Sequence, residues 1–92
     1  MRSIKEIRND INQVDEEMAI LFEKRMKLTK EIIEYKTHFS LPIYDQERER
    51  QVIELNSLNI KNEGLKSYYK EFIKSIMDIS KKYQEEISNG KK

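Results

Sequence analysis

The sequence predicts an all-α protein, and three observations support this fold class. The 92 residues include only 2 Gly and 1 Pro, so few residues would interrupt a helix. Charged residues make up 38% of the chain, with abundant Lys, Glu and Ile. Apolar residues recur at alternating spacings of three and four, which is the helical period. We therefore predict one domain over residues 1–92, built from a long, a short and a long helix.

The first predicted helix spans residues 4–37. Ser3 and Glu6 have the spacing of a capping box, which satisfies free backbone N–H groups at a helix start. An unbroken alternation of three and four residues follows, and we call its ten positions the seam. Nine of them are apolar or aromatic; the ten are Ile4, Ile7, Ile11, Val14, Met18, Leu21, Arg25, Leu28, Ile32 and Tyr35.

The length of this helix has a consequence for assembly. At 1.5 Å per residue it would extend about 50 Å, whereas a compact chain of this size has a radius of gyration of about 12 Å. The seam must therefore overhang its own chain and needs a partner, most simply a second copy. We expect an intertwined homodimeric helical bundle.

A break at residues 37–44 separates the first helix from the second. Pro42 disfavours helical backbone at the residue before it, and Ser40 is a residue type that favours turns. Asp45 is suited to cap the next helix. The second helix is expected to end at residues 62–64, where Asn or Gly could adopt a left-handed cap. Its stripe is expected at Arg48, Val52, Leu55 and Leu58.

The third predicted helix covers residues 65–87. We expect its core stripe to consist of alternately spaced apolar and aromatic residues, namely Leu65, Tyr69, Phe72, Ile76, Ile79 and Tyr83. Residues 88–92 are polar and are expected to fray.

Composition argues against several classes of protein. The chain has 18 Lys and Arg against 17 Asp and Glu, and this net charge of +1 does not suit a nucleic-acid-binding protein. There is no Cys and His38 is the single histidine, so we expect no metal site and no thiol chemistry. The longest apolar run, residues 18–22, is too short to cross a membrane or to form a signal peptide. We expect a cytoplasmic location.

Two cations on the first helix are candidate functional residues. Arg25 interrupts the seam, where an unpaired charge is costly. It either pairs with a carboxylate and sets the helix register, or it binds an anionic ligand. Lys36 lies about three turns further along, on the same face as Arg25, Thr29 and Ile32. A simpler interpretation of Lys36 is a solvated charge near a helix end.

Arg8 is a third candidate cation on this helix. It lies about 25 Å from Arg25 along the axis, so one chain cannot bring both to the same small molecule. If the helix pairs antiparallel with a second copy, Arg8 of one chain approaches Arg25 and Lys36 of the other. Otherwise Arg8 is a surface arginine.

The two later helices add polar candidates. Asp45, Arg48 and Glu49 open the second helix within one turn, as a local ion pair or as part of a site. On the third helix, Ser80 and Gln84 continue an apolar stripe. Serine can bond back to its own helix, but a buried glutamine amide requires several hydrogen-bond partners.

These groups could converge in the interior of a helical bundle, where binding sites are built from side chains of facing helices. An excess of fixed cations suggests a small dianion as ligand. The sequence has no serine–histidine pair and no glycine-rich phosphate loop, which argues against nucleophilic and nucleotide chemistry.

Five segments carry a resemblance to a known family over most of the chain. They contain Arg8, Arg25, Lys36, the run 42–49 and the run 80–84, and their order and spacing are specific. From about residue 4 to residue 85 the sequence resembles the all-α class of chorismate mutases. The resemblance implies a dimer with two sites, which rearranges chorismate to prephenate without a cofactor.

The resemblance also implies a role for each candidate residue. Arg25 and the second chain's Arg8 would hold substrate carboxylates, and Lys36 and Gln84 would donate hydrogen bonds to the ether oxygen. Arg25, Lys36 and Gln84 are thus the expected catalytic residues. The remaining expected contacts are with the substrate hydroxyl and the carboxylate end, and they involve Asp45, Arg48, Glu49 and Ser80.

Two other functions remain open at this point. An isochorismate-pyruvate lyase of the same fold would use a similar cationic site. A non-catalytic dimerisation module would need only the first helix, but Leu would serve such a module better than Arg25, Lys36 or Gln84. The sequence also leaves open whether the chain is free-standing or part of a fusion enzyme.

Overall fold

The chain forms three α-helices and, within the part that is described, no strand. The structure is a computed structural model and describes residues 1–90. Helix α1 covers Ile4–His38, α2 covers Gln46–Ser57 and α3 covers Lys66–Ser88, with a 3₁₀ turn at Glu63–Leu65. Both α1 and α2 pack against α3. The predicted order of a long, a short and a long helix is confirmed.

Helix α1 begins at the predicted capping box. The backbone N–H of Glu6 donates to Ser3 Oγ at 3.2 Å, and the backbone N–H of Ser3 donates to Glu6 Oε1 at 3.2 Å. Two otherwise free N–H groups are therefore satisfied reciprocally, as the spacing of these residues predicts.

Helix α1 ends within the predicted break, at a left-handed Ser40 two residues before Pro42. Ser40 has a φ of 54°, which lets Leu41 N–H donate to the Lys36 carbonyl at 2.8 Å and Ser40 N–H donate to the Thr37 carbonyl at 3.3 Å. This pair of bonds is the Schellman pattern of a helix C-terminus. It stops α1 at His38 and turns the chain toward α2.

Asp45 caps α2 as predicted, but α2 ends earlier than expected. Asp45 Oδ1 accepts a hydrogen bond from Arg48 N–H at 3.0 Å. The predicted end at residues 62–64 is wrong, because α2 stops at Ser57. Asn62 instead begins the next element, since its Oδ1 accepts from Gly64 N–H at 3.0 Å.

The N-terminal part of α1 extends away from the rest of the chain. Every residue from 1 to 24 is exposed, and the molecule measures 56 × 28 × 14 Å. Its radius of gyration is 16.5 Å, against about 12 Å for a compact chain of this length. Only the C-terminal part of α1 has buried residues, namely Thr29 and Ile33.

The apolar side chains that are buried within one chain are not those of the predicted stripes. The hydrophobic core consists of Ile33 and Ile73, which are 1% and 6% exposed. Apart from the half-buried Arg25, every seam residue is exposed. The periodicity identified an apolar face correctly, but the chain packs its neighbouring face, centred on Thr29 and Ile33, against α3.

On α2 and α3, too, the residues that are most buried are not all those of the predicted stripes. Leu65, Phe72 and Ile79 were expected in the core of α3 and are exposed, whereas Tyr69, Ile76 and Tyr83 are half-buried. On α2, Arg48, Leu55 and Leu58 are exposed, and Val52 is half-buried. The reason is geometric: α1 and α2 approach α3 on the side of Ile73 and Ser80, so an adjacent apolar face stays open.

The polar end of the chain was expected to fray over residues 88–92. Helix α3 ends at Ser88, and Asn89 N–H still donates to the Glu85 carbonyl at 3.0 Å. Gly90 follows with a positive φ of 80°. Lys91 and Lys92 lie outside the described residues.

We predict that Ser40→Gly stabilises the protein. A serine in the left-handed region brings its Cβ close to the backbone, and glycine has no Cβ. The free energy of unfolding should rise by about 0.5–1 kcal/mol, as measured by urea denaturation. Ser75→Gly, at an exposed position in the middle of α3, should lower it instead. A Ser40→Gly variant no more stable than wild type would contradict this account of the turn.

Candidate active site

A cavity of about 300 Å³ lies between the C-terminal part of α1, the start of α2 and the C-terminal part of α3. The wall from α1 consists of Arg25, Thr29, Ile32 and Lys36. Their common face was predicted from their spacing, and the cavity confirms it. Thr29 Oγ1 donates to the Arg25 carbonyl at 3.0 Å, so the threonine hydroxyl is satisfied within α1.

Arg25 crosses from α1 to α3. Its Nη1 donates to Ser80 Oγ at 2.7 Å, and Ser80 is only 5% exposed. No Asp or Glu among residues 1–90 forms a salt bridge with Arg25. Within one chain Arg25 therefore pairs with a hydroxyl group and not with a carboxylate. A guanidinium group has five N–H donors, so donors remain for a ligand in the cavity.

Lys36 is not simply a solvated charge at a helix end. It is half-buried, and its Nζ donates to the Ile43 carbonyl at 2.8 Å. This bond ties the loop between α1 and α2 to the wall of the cavity. An ammonium group has three donors, which leaves two for other acceptors.

The three charged residues at the start of α2 have different surroundings. Asp45 is the N-cap of α2, and Arg48 lines the cavity although the residue is exposed. The Glu49 side chain is only 20% exposed, and its Oε1 lies 3.9 Å from Lys74 Nζ. The expected local ion pair among these three residues is therefore replaced by a contact between α2 and α3.

One neighbouring ion pair lies outside the cavity lining. Arg50 Nη2 donates to Glu47 Oε1 at 2.6 Å. This hydrogen bond, together with the charge of Arg50, lowers the pKa of the Glu47 carboxyl below its ordinary value. The same contact raises the pKa of Arg50. Because both side chains are well exposed, we assign the pair no part in the cavity.

Gln84 lies on α3, one turn beyond Ser80, and also lines the cavity. Its Oε1 is buried and has no hydrogen-bond partner among residues 1–90. Leaving a buried acceptor unpaired costs about 1–3 kcal/mol. The Gln84 side-chain oxygen is thus a buried acceptor in the cavity wall that no protein group pairs among residues 1–90.

Sequence reasoning singled out neither Lys81 nor Tyr44 as a site residue, and both line the cavity. Lys81 Nζ lies 4.6 Å from the centre of the Tyr44 ring, within the range of a cation–π interaction. Helical spacing could have found Lys81, because it follows Met77 by four residues and so lies on the same face of α3. No pattern in the sequence places Tyr44.

The charges that line the cavity are unequal. Four cationic side chains and two carboxylates face it, so the cations exceed the carboxylates by two; they are Arg25, Lys36, Arg48 and Lys81 against Asp45 and Glu49. Such a balance suits a small ligand with two negative charges. Within residues 1–90 no group of His, Asp and Glu side chains could hold a metal ion.

Comparison with known proteins agrees with this geometry. The sequence pattern of the family described as chorismate mutase type II matches residues 7–85. The chain belongs to this family. The match includes α2, most of α1 and most of α3, and hence the whole cavity.

Two curated relatives are longer proteins. The chain is 37% identical over 90 residues to the bifunctional chorismate mutase/prephenate dehydratase of Aquifex aeolicus (strain VF5), covering 89% of this chain and 25% of the relative. It is 32% identical over 65 residues to the T-protein of Haemophilus influenzae (strain ATCC 51907 / DSM 11121 / KW20 / Rd), covering 71% and 17%. The chain thus spans a quarter or less of these relatives. No solved structure matches it significantly.

Seven of the eight residues expected from the resemblance to chorismate mutases line the one cavity, namely Arg25, Lys36, Asp45, Arg48, Glu49, Ser80 and Gln84. They come from all three helices and from the loop before α2. The eighth, Arg8, is exposed and does not line the cavity of its own chain. The roles of all eight toward a substrate stay predictions.

Among residues 1–90 no helix is both long enough and apolar enough to span a bilayer.

We predict that Gln84→Met stabilises the free protein. Methionine has a similar length and removes the buried acceptor that has no partner. The free energy of unfolding should rise by about 1 kcal/mol in urea denaturation without ligand. Gln51→Met, on the exposed face of α2, should change it by less than about 0.5 kcal/mol. A less stable Gln84→Met variant would mean that the amide is satisfied in the free protein.

Proposed function

We propose that this chain catalyses the rearrangement of chorismate to prephenate. The observation that carries the proposal is the cavity, in which Arg25, Lys36 and Gln84 line one space with an excess of cationic side chains. Chorismate is a small dianion that carries two carboxylates, an ether and a hydroxyl. Membership of the chorismate mutase type II family supports the same conclusion.

The reaction is an isomerisation within one molecule. The carbon–oxygen bond between the ring and the enolpyruvyl ether breaks, while a carbon–carbon bond forms between the enolpyruvyl methylene and the ring. No atom, proton or electron enters or leaves. The protein therefore accelerates the reaction by holding the chair-like, diaxial conformer and by stabilising charge that develops in the transition state.

The developing charge is the negative charge on the ether oxygen as its bond to the ring breaks. Lys36 and Gln84 supply the hydrogen bonds to this oxygen. Lys36 is already oriented by its bond to the Ile43 carbonyl at 2.8 Å, and Gln84 is half-buried in the wall of the cavity. Donors that are in place before the reaction need no reorganisation during it, which is the source of their effect on the rate.

The other cavity residues bind the ground-state groups of the substrate. Arg25, oriented by its 2.7 Å bond to Ser80, binds a carboxylate through its remaining donors. Arg48 and Ser80 complete the carboxylate end. Glu49 and the backbone near Asp45 accept the hydrogen bond of the substrate hydroxyl.

The active form in this proposal is an intertwined homodimer. Two observations support it: the exposed seam of α1, and a 56 Å molecule whose first 24 residues are all exposed. Exposed apolar surface of this extent is typical of an interface. Antiparallel pairing of two α1 helices would bring Arg8 of one chain to the cavity of the other, where it would bind the second carboxylate.

The decisive experiment is a direct assay of the purified chain with chorismate and, separately, with isochorismate. We expect loss of chorismate absorbance and formation of prephenate. Formation of salicylate and pyruvate from isochorismate, with no prephenate from chorismate, would instead identify a lyase. No reaction with either compound would favour a dimerisation module without catalytic activity.

We predict that Arg8→Ala and Arg25→Ala each lower kcat/KM by about 100-fold or more, because each removes a charged donor. Refolding the two variants together should restore activity, since one site of the mixed dimer receives both wild-type residues from different chains. Arg2→Ala, at an exposed arginine of the N-terminal region, should retain wild-type kcat/KM.

Sedimentation at micromolar concentration checks the assembly of these same samples. One chain has a mass of 11.2 kDa. The wild-type protein should sediment with about twice this mass. An active monomer would contradict both the dimer and the shared site. Mixed dimers that form but stay inactive would show that Arg8 does not act in the partner's site.

A further inference from the structure

Within residues 1–90, Lys81 lacks the glutamate partner that three other lysines of α3 have. Lys66, Lys70 and Lys74 lie 2.9, 3.8 and 3.9 Å from a glutamate oxygen. Lys81 has no such partner among the Asp and Glu side chains of residues 1–90. It is half-buried and lines the cavity, so its ammonium group lies where a ligand can reach it.

The position of the Lys81 side chain is set by an aromatic ring. Its Nζ lies 4.6 Å from the centre of the Tyr44 ring, and Tyr44 is 52% exposed in the loop before α2. Tyr44 also lines the cavity. The pair therefore bridges α3 and this loop at the rim of the cavity, and the ring orients the lysine without neutralising its charge.

The loop that carries Tyr44 is held from both sides. Lys36 of α1 bonds the Ile43 carbonyl at 2.8 Å, and Asp45 is fixed as the N-cap of α2. Tyr44 lies between these two anchored residues. The aromatic platform under Lys81 is thus preorganised, which lowers the entropy lost when the ammonium group binds an anion.

We propose that Lys81 is a substrate-binding residue whose ammonium group, oriented by the Tyr44 ring, contacts a substrate carboxylate at the rim of the cavity. The proposal rests on the proposed function, because it requires a dianionic substrate in this cavity. Lys81 is one of the four cations that outnumber the two carboxylates of the lining. Removing it would halve the excess positive charge that one chain presents.

The contact should act on binding rather than on the chemical step. A carboxylate has the same charge in chorismate and in the transition state, so an ammonium group that binds it stabilises both equally. Its loss raises KM and leaves kcat unchanged. Because Lys81 lies at the rim and is partly exposed, salt should screen the interaction.

The test compares Lys81→Met and Lys81→Gln with the matched control Lys82→Met. Lys82 is the next residue of α3 but is exposed and does not line the cavity. We expect both Lys81 variants to raise KM for chorismate about two- to fivefold, a change typical of a partly exposed charge pair, with kcat within twofold of wild type. Lys82→Met should match wild type, and Lys81→Arg should recover most of the lost affinity.

Two further measurements separate a direct contact from a structural effect. Raising the ionic strength should increase the KM of wild type more than that of Lys81→Met. Tyr44→Leu should raise KM in the wild-type background and have a much smaller effect in the Lys81→Met background, since the platform then has no cation to orient.

The outcomes distinguish this inference from the proposed function. An active wild type with equal KM values for Lys81→Met and Lys82→Met would overturn the role of Lys81 and leave the reaction standing. A fall in kcat at unchanged KM would overturn it as well. A wild type that neither converts chorismate nor binds a bicyclic oxa-dicarboxylate mimic of the transition state in calorimetry would overturn both.

Discussion

The hydrogen bond between Arg25 and Ser80 is the contact on which the rest of the molecule depends. It joins residues 55 positions apart in the chain, on the two longest helices, at 2.7 Å. Among residues 1–90 only two hydrophobic side chains, Ile33 and Ile73, are buried, so apolar packing alone defines the register of α1 against α3 weakly. A directional bond to a charged donor adds the missing specificity, and it orients the guanidinium group in the cavity at the same time.

The loop between α1 and α2 shows how local backbone chemistry positions a site. The left-handed Ser40 ends α1, and Asp45 starts α2. Between them, Lys36 and Lys81 hold the loop from α1 and from α3. Both lysines also line the cavity, so the groups that define the loop are the groups that present positive charge to a ligand.

The small core and the exposed seam have the same cause: the seam of α1 is not packed against the other helices of its own chain. A chain that buried its seam against its own helices would fold as a compact monomer but would lose the extended N-terminal part of α1. The protein instead leaves a long apolar face open and places polar groups, including the unsatisfied Gln84 carbonyl, around a cavity. Both features lower the stability of the isolated chain, and the proposed dimer would offset the first of them by covering the open face.

Local signals in the sequence determined the helix order, the capping box of α1 and the Asp45 cap of α2, because capping and periodicity depend on neighbours within a few residues. The spacing of Arg25, Thr29, Ile32 and Lys36 determined a common face for the same reason. Tertiary structure alone decided that Arg25 bonds Ser80 rather than a carboxylate, that Lys74 contacts Glu49, and that Tyr44 lies under Lys81. It also decided which of two adjacent apolar faces each helix buries, since periodicity identifies an apolar face but contains no information about the distance or orientation of the helix that will cover it.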